Sequence, residues 1–236
     1  MTSTTTSRLQ KIIAQRGYCS RRKAEELILA GKVKVDGRLV NKSGEKFPEN
    51  CELEISGELL ADPGKSITIA LNKPVDYVCS KSDPHNPKNI MQLLPPEMKR
   101  LNYAGRLDKD SEGLVILSSD GGLVHQLTHP KFGHTKTYLV TVKGSPTNVK
   151  LKPLESGELK LDGYKLNPMK FEICGRSKIK LILSEGRKRQ IRRVLDSLGF
   201  PVIYLRRTAI GKLEIESLAS GEWKELSERE LLMAQA

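Results

Sequence analysis

Ala104-Gly105-Arg106-Leu107-Asp108-Lys109-Asp110-Ser111-Glu112-Gly113-Leu114-Val115-Ile116-Leu117 lies near the middle of the 236-residue chain. It sets a carboxylate, Asp108, close to an arginine, Arg106, on a short loop that a glycine opens. The apolar run Leu114 to Leu117 has the length and composition of a buried strand. Polar loops carried on rigid elements are where catalytic side chains concentrate. Taken alone, Asp108 would read as a loop or capping aspartate beside Lys109. The combination of Gly105-Arg106-Leu107-Asp108, then Ser111, then Gly113-Leu114, singles it out.

Composition bounds what such a site can serve. The hydrophobic fraction is 38% and the charged fraction 29%, polar but not the composition of a disordered chain. The length suits one ordinary domain plus a small one. No apolar run approaches the roughly 18 residues of a membrane span. The Thr/Ser-rich start, Met1 to Ser7, has neither a basic leader nor an apolar segment. A soluble, cytoplasmic protein with no membrane association and no signal peptide is expected. Cys19, Cys51, Cys79 and Cys174 stand far apart, with no Cys-x-x-Cys pair. His125 and His129 have the i, i+4 spacing of helical metal ligands. No glutamate follows His125, however, and Pro130 ends any helix there, so no metal is expected.

The net charge of +12 points to a polyanionic partner. From Gly175 to Lys212, eleven Lys and Arg stand against Glu185 and Asp196, a local balance of +9. From Leu213 onward the sign reverses, with six Glu against Lys224 and Arg229. The basic stretch interleaves with apolar residues, which favours a nucleic-acid footprint over a merely solvated face.

The segment Arg8 to Ser56 reads as a compact α/β module. Leu9, Ile12 and Ile13 share one helical face. Ser20 is placed to cap a second helix, Arg21 to Ala30, with Ala24, Leu27 and Ile28 inward. Gly31 suits the left-handed position after it, and Asp36-Gly37 a tight hairpin turn between Val33-Lys34-Val35 and Arg38-Leu39-Val40. The second helix opens on Arg21, Arg22 and Lys23, a basic first turn that opposes the helix dipole. That cost suggests contact with phosphate. Residues 1–58 are expected as this module and 59–66 as a linker. Residues 67–236 are expected as a second domain. Strands are expected at Ile67 to Leu71 (ending at Asn72-Lys73-Pro74), Tyr138 to Val142, Ile179 to Leu183, Val202 to Leu205 and Leu213 to Ile215. A helix is expected from Gln190 to Leu198, ending at Gly199. Pro84, Pro87, Pro95 and Pro96 break up the stretch after the first of these strands. Many strands and few helices predict an α+β fold with a mixed, mainly antiparallel sheet.

Two resemblances join these readings. Leu9, Lys11, Cys19-Ser20-Arg21-Arg22-Lys23-Ala24-Glu25 and Ile28 through Ala30-Gly31-Lys32-Val33 to Val35-Asp36-Gly37 resemble the RNA-binding module named after ribosomal small-subunit protein four. The loop carrying Asp108 resembles the signature of pseudouridine synthases, in particular the ribosomal RNA family named for its small-subunit enzyme. Ser111 stands where many relatives have threonine and keeps the hydroxyl. Lys136-Thr137-Tyr138-Leu139-Val140 resembles the second family motif, and Glu185-Gly186-Arg187-Lys188-Arg189-Gln190-Ile191-Arg192-Arg193 the third. The likeness continues through Leu205 to Gly211 and Gly221 to Leu226.

The resemblance implies an isomerisation of uridine in ribosomal RNA or in a ribosomal assembly intermediate, by a monomer. The bond from uracil N1 to the ribose breaks, the base turns, and C5 takes its place. No redox change occurs, so no cofactor is expected. Asp108 is implied as the catalytic carboxylate, acting as nucleophile or general base. Tyr138 is implied to stack on the target base, which an aromatic ring suits, and Arg192 to pair with Asp108, which favours the charged carboxylate. Arg106 would fill the gap left by an extruded base or contact a phosphate. Arg187, Lys188, Arg189 and Arg193 are expected on the RNA backbone, together with Arg21, Arg22 and Lys23. A non-catalytic ribosome-associated factor would explain the module and the charge, but leaves Asp108, Tyr138 and Arg192 without a joint role. An rRNA methyltransferase needs a glycine-rich strand-to-helix loop followed by an acidic residue, and no such unit stands in the sequence.

Overall fold

The computed structural model describes residues 5–61, 64, 66–81, 85–215 and 218–236. The chain divides into two compact units: one reaches to Ile67 and takes in Ser119–Gly121, and the other holds Thr68–Ser118 and Gly122–Ala236.

The first unit comprises β1 (Thr6–Arg8), α1 (Leu9–Gln15), α2 (Arg21–Leu29), β2 (Val33–Val35), β3 (Arg38–Val40), β4 (Lys46–Pro48), β5 (Leu53–Ile55) and β6 (Glu58–Leu59). Leu9, Ile12 and Ile13 pack with Ala24, Ile28 and the inward valines and Leu53 of the sheet β3-β2-β5-β6. The expected caps form. Ser20 Oγ accepts the Lys23 N–H at 3.2 Å, and Gly31 follows α2 at φ +66°. Asp36 and Gly37 take φ of 48° and 76°, the primed turn that matches strand twist. Arg21, Arg22 and Lys23 are exposed on the first turn of α2, which holds no acidic residue. One expectation needs correction. Ser56 and Gly57 turn the chain into β6, which pairs back on β5, so the expected boundary at 58/59 cuts a strand. A two-residue strand is too short to show any periodicity. Residues 62, 63 and 65 of the expected linker, and Pro84, lie outside the described residues.

The second unit comprises β7 (Thr68–Lys73), β8 (Asn102–Ala104), β9 (Glu112–Ser118), α3 (Gly121–Thr128), β10 (Lys136–Val142), α4 (Asn148–Leu151), α5 (Pro153–Ser156), β11 (Lys160–Leu161), β12 (Tyr164–Lys165), β13 (Lys170–Gly175), β14 (Lys178–Leu183), α6 (Gln190–Ser197), β15 (Val202–Ile210), β16 (Leu213–Glu214), β17 (Trp223–Glu225) and α7 (Glu228–Gln235). The main sheet runs β13-β14-β10-β15-β9-β7-β17, with β8 on β9 and β16 on β15. Only β15 and β9 pair in parallel among the described strands; the fold is α+β with a mixed, mainly antiparallel sheet. Leu114 to Leu117 are wholly buried at its centre. Leu114 and Ile116 pack with Ala70, Ile210, Leu123 and Leu127 in one cluster. Tyr138 faces Leu181 across β14, and Val140 faces Leu205 across β15. The parallel contact explains Gly113. At φ +114°, a Cβ there would run into the Arg207 carbonyl.

Candidate active site

Between β8 and β9 the loop is anchored at alternate points. Gly105 takes φ +80°, a left-handed conformation that glycine adopts at low cost. Leu107 and Ser111 are buried, while Arg106, Lys109 and Asp110 are exposed and Asp108 is half-buried between them. The Ser111 N–H closes a turn on the Asp108 carbonyl at 3.1 Å. The segment that follows β7 braces the loop. The Leu107 N–H donates to Cys79 Sγ at 3.4 Å, and the Asp76 N–H donates to the Lys109 carbonyl at 2.8 Å. Lys73, wholly buried at the end of β7, spans this brace. Its Nζ donates to the carbonyls of Pro74 at 2.6 Å and Tyr77 at 2.7 Å. Burial pulls its pKa down to about 8, against the opposing influence of Cys79, Asp110, Asp108 and Asp76.

The third motif reaches the same loop. Arg189 sits at the cap of α6 with φ 52°. Its guanidinium holds Asp110 in a bidentate pair at 3.0 and 2.8 Å and lies 3.9 Å from Asp108 Oδ2. Arg192, one turn later, donates to the Asp110 carbonyl at 2.7 Å, to Ser111 Oγ at 3.3 Å and to the Val202 carbonyl at 3.3 Å. Its Nε lies 3.3 Å from Asp110 Oδ2. Burial pushes the Asp110 carboxyl up, but the Arg189 hydrogen bonds and the Arg192 charge outweigh it, and the pKa sits below the ordinary aspartate value. The expected Arg192–Asp108 pair is therefore corrected. Arg192 grips the loop at Asp110 and Ser111, and the arginine nearest Asp108 is Arg189, because the left-handed cap turns that side chain toward the loop.

These elements surround an open cleft of about 780 Å³, within the size range of ligand sites. Asp108, Arg106 and Lys109 line it with Tyr138, Leu183 and Leu205. Arg187, Lys188 and Arg189 line it too. Tyr138 is 7% exposed, so its ring belongs to the cleft wall and not to open surface. Asp108 and Tyr138 thus line the same cleft, while Arg192 stays off its lining. Arg193 also departs from expectation. It forms a solvent-exposed bidentate pair with Asp162 at 2.9 and 2.6 Å and does not line the cleft. Arg21, Arg22 and Lys23 belong to the first unit. Lys73, Cys79, Asp110 and the loop-holding role of Arg192 went unread in the sequence. The one available signal was a lysine ending an apolar strand before a proline. Among the described residues, no group of three or more His, Cys, Asp or Glu could hold a metal ion, and no helix is long and apolar enough to cross a membrane.

Residues 67–197 match the family model described as RNA pseudouridylate synthase, and residues 7–50 match the S4 domain. The chain belongs to the RNA pseudouridylate synthase family. Across 97% of its length it is 36% identical to the ribosomal large subunit pseudouridine synthase B of Bacillus subtilis, covering 96% of that protein. It is 39% identical to an uncharacterized RNA pseudouridine synthase of Mycobacterium leprae, over 88% of this chain and 84% of that one. A crystal structure of a pseudouridylate synthase superimposes with a TM-score of 0.72 at 33% identity, covering 96% of this chain and 99% of that one. The family's enzymes are isomerases. Such chemistry needs a base-sized pocket with a carboxylate and an aromatic wall, and the cleft has both.

Proposed function

We propose that this cleft converts one specific uridine of ribosomal RNA to pseudouridine, with Asp108 as the catalytic carboxylate. The observation that carries this reading is the meeting of Asp108 and Tyr138 in one cleft rimmed by Arg106, Arg187, Lys188 and Arg189. A flipped uracil packs against the Tyr138 ring, and the rim arginines and lysine take its flanking phosphates. Asp108 faces the ribose and base. Arg192 and Arg189 fix the loop that presents it. The S4-like first unit, with β6 included, serves as an RNA-capture module with Arg21, Arg22 and Lys23 on phosphate. The second unit is the catalytic domain. The acting species is a monomer in the cytoplasm, and its substrate is ribosomal RNA or an assembly intermediate. Within ribosomal RNA the motifs resemble the family named for the small-subunit enzyme, whereas the name of the Bacillus subtilis relative refers to the large subunit. Mapping pseudouridines in both ribosomal RNAs, with and without the gene, tests the reading. One site should lose its pseudouridine. A complete and unchanged pseudouridine map would overturn it.

A further inference from the structure

Beside the cleft stands an aromatic side chain that the chemistry described above does not use. Lys160–Leu161 and Tyr164–Lys165 pair as a short hairpin, turned at Asp162 and Gly163 with φ of 52° and 79°. The hairpin is tied firmly to the third motif. Asp162 takes the bidentate pair from Arg193 at 2.9 and 2.6 Å, and two residues beyond the hairpin the Asn167 N–H donates to Glu185 Oε1 at 3.0 Å. Leu161 and Leu166 are buried beneath it. On this rigid support Tyr164 is left 62% exposed. The guanidinium of Arg187, a residue of the cleft lining, lies 4.7 Å from the centre of its ring. Lys160 and Lys165, paired across the hairpin one position from Tyr164, are also exposed.

An arginine near an exposed aromatic ring is attracted to its face and supplies a positive charge beside a surface on which a flat base can stack. Rings flanked by cations are how proteins hold unpaired nucleotides: the base stacks and the cations take the phosphates. We propose that Tyr164 is a stacking platform for an unpaired nucleotide beside the target uridine, making the hairpin a specificity element of the substrate site. This rests on the RNA-isomerising reading above. The geometry suits it, because a nucleotide leaving the cleft past Arg187 meets the Tyr164 ring next. The bidentate Arg193–Asp162 pair then has a purpose: it holds the ring in place before RNA arrives, which lowers the ordering cost of binding.

The test uses the full-length protein and the ribosomal RNA fragment that it isomerises, in single-turnover assays against RNA concentration. Tyr164→Ala should raise the half-saturating concentration on the order of tenfold, the size of one lost base–aromatic stack, with the maximal rate kept. Tyr164→Trp should restore it. Abasic substitutions along the RNA beside the target should reveal one position whose loss weakens wild type by the same factor and leaves Tyr164→Ala unaffected. That non-additivity would not arise from a merely structural tyrosine. If Tyr164→Ala matches an active wild type, or loses maximal rate alone, the platform is wrong while the functional reading stands. If the wild type isomerises no RNA, both fall.

Discussion

Arg189 and Arg192 lie three residues apart, yet they act differently on one loop. Arg189 sets its charge beside both carboxylates, while Arg192 reaches Asp110 alone of the two and gives its other donors to the Asp110 carbonyl, the Ser111 hydroxyl and β15. The presence of a basic third motif was legible from residue types and spacing. The partner of each arginine was not, because a left-handed cap decides where Arg189 points and no residue pattern announces it. Arg192→Met should cost about 1.5–3 kcal/mol of stability, the worth of charge-assisted hydrogen bonds, and should lower the maximal single-turnover rate more than it changes RNA half-saturation. Thermal unfolding and rapid-quench assays measure the two effects. Lys73 offers a pH test. Its folded pKa of about 8 lies below the ordinary lysine value of 10.5, so the unfolded chain binds more protons between these values. Stability attributable to this residue therefore rises as pH climbs from about 8 toward about 10.5. Denaturant unfolding across that range should show wild type gaining on Lys73→Met as pH rises. A constant difference would remove Lys73 as the titrating group.

At the scale of elements, strands with long apolar or alternating patterns were legible, and those interrupted by charged residues or only two residues long were not. The run Leu114 to Leu117 marks β9 because every residue in it is buried. By contrast, β15 extends five residues past the expected end at Leu205, to Ile210. Arg206 and Arg207 interrupt its apolar pattern, and Arg207 is nonetheless buried, donating from Nε to the Leu114 carbonyl at 2.7 Å. The hairpin bearing Tyr164 was invisible for the opposite reason. Two-residue strands give periodicity nothing to act on, and the Asp162–Arg193 pair that ties them to α6 spans 31 residues of sequence. The crossing of β15 and β9 depends on Gly113. Gly113→Ala should destabilise the second unit by well over ~1 kcal/mol, since alanine is penalised at positive φ even without a collision. A lowered melting temperature checks this, and an unchanged one would mean that the parallel pairing yields easily.

Across the whole molecule, charge and chemistry are divided between units. The first unit carries Arg21, Arg22 and Lys23 exposed on one helix turn and none of the residues around Asp108. The basic balance was legible from composition alone, since it is a sum over many residues and survives local misreadings; the first module was legible from its caps, its turn and its resemblance, though not its last strand. Arg21→Glu with Arg22→Glu should raise RNA half-saturation and flatten its salt dependence, because phosphate contacts release counterions in proportion to their number. The maximal rate should hold. A collapsed rate at unchanged half-saturation would mean that the module helps assemble the cleft. Capture and chemistry separate most directly in one comparison: turnover of a uridine-containing ribosomal RNA fragment by wild type and Asp108→Asn, with RNA binding measured alongside. Asparagine keeps the shape and removes the charge. The wild type should form pseudouridine with no change in RNA mass, and Asp108→Asn should bind with near wild-type affinity and form none. Pseudouridine made by Asp108→Asn at the wild-type rate would contradict the assignment of this cleft.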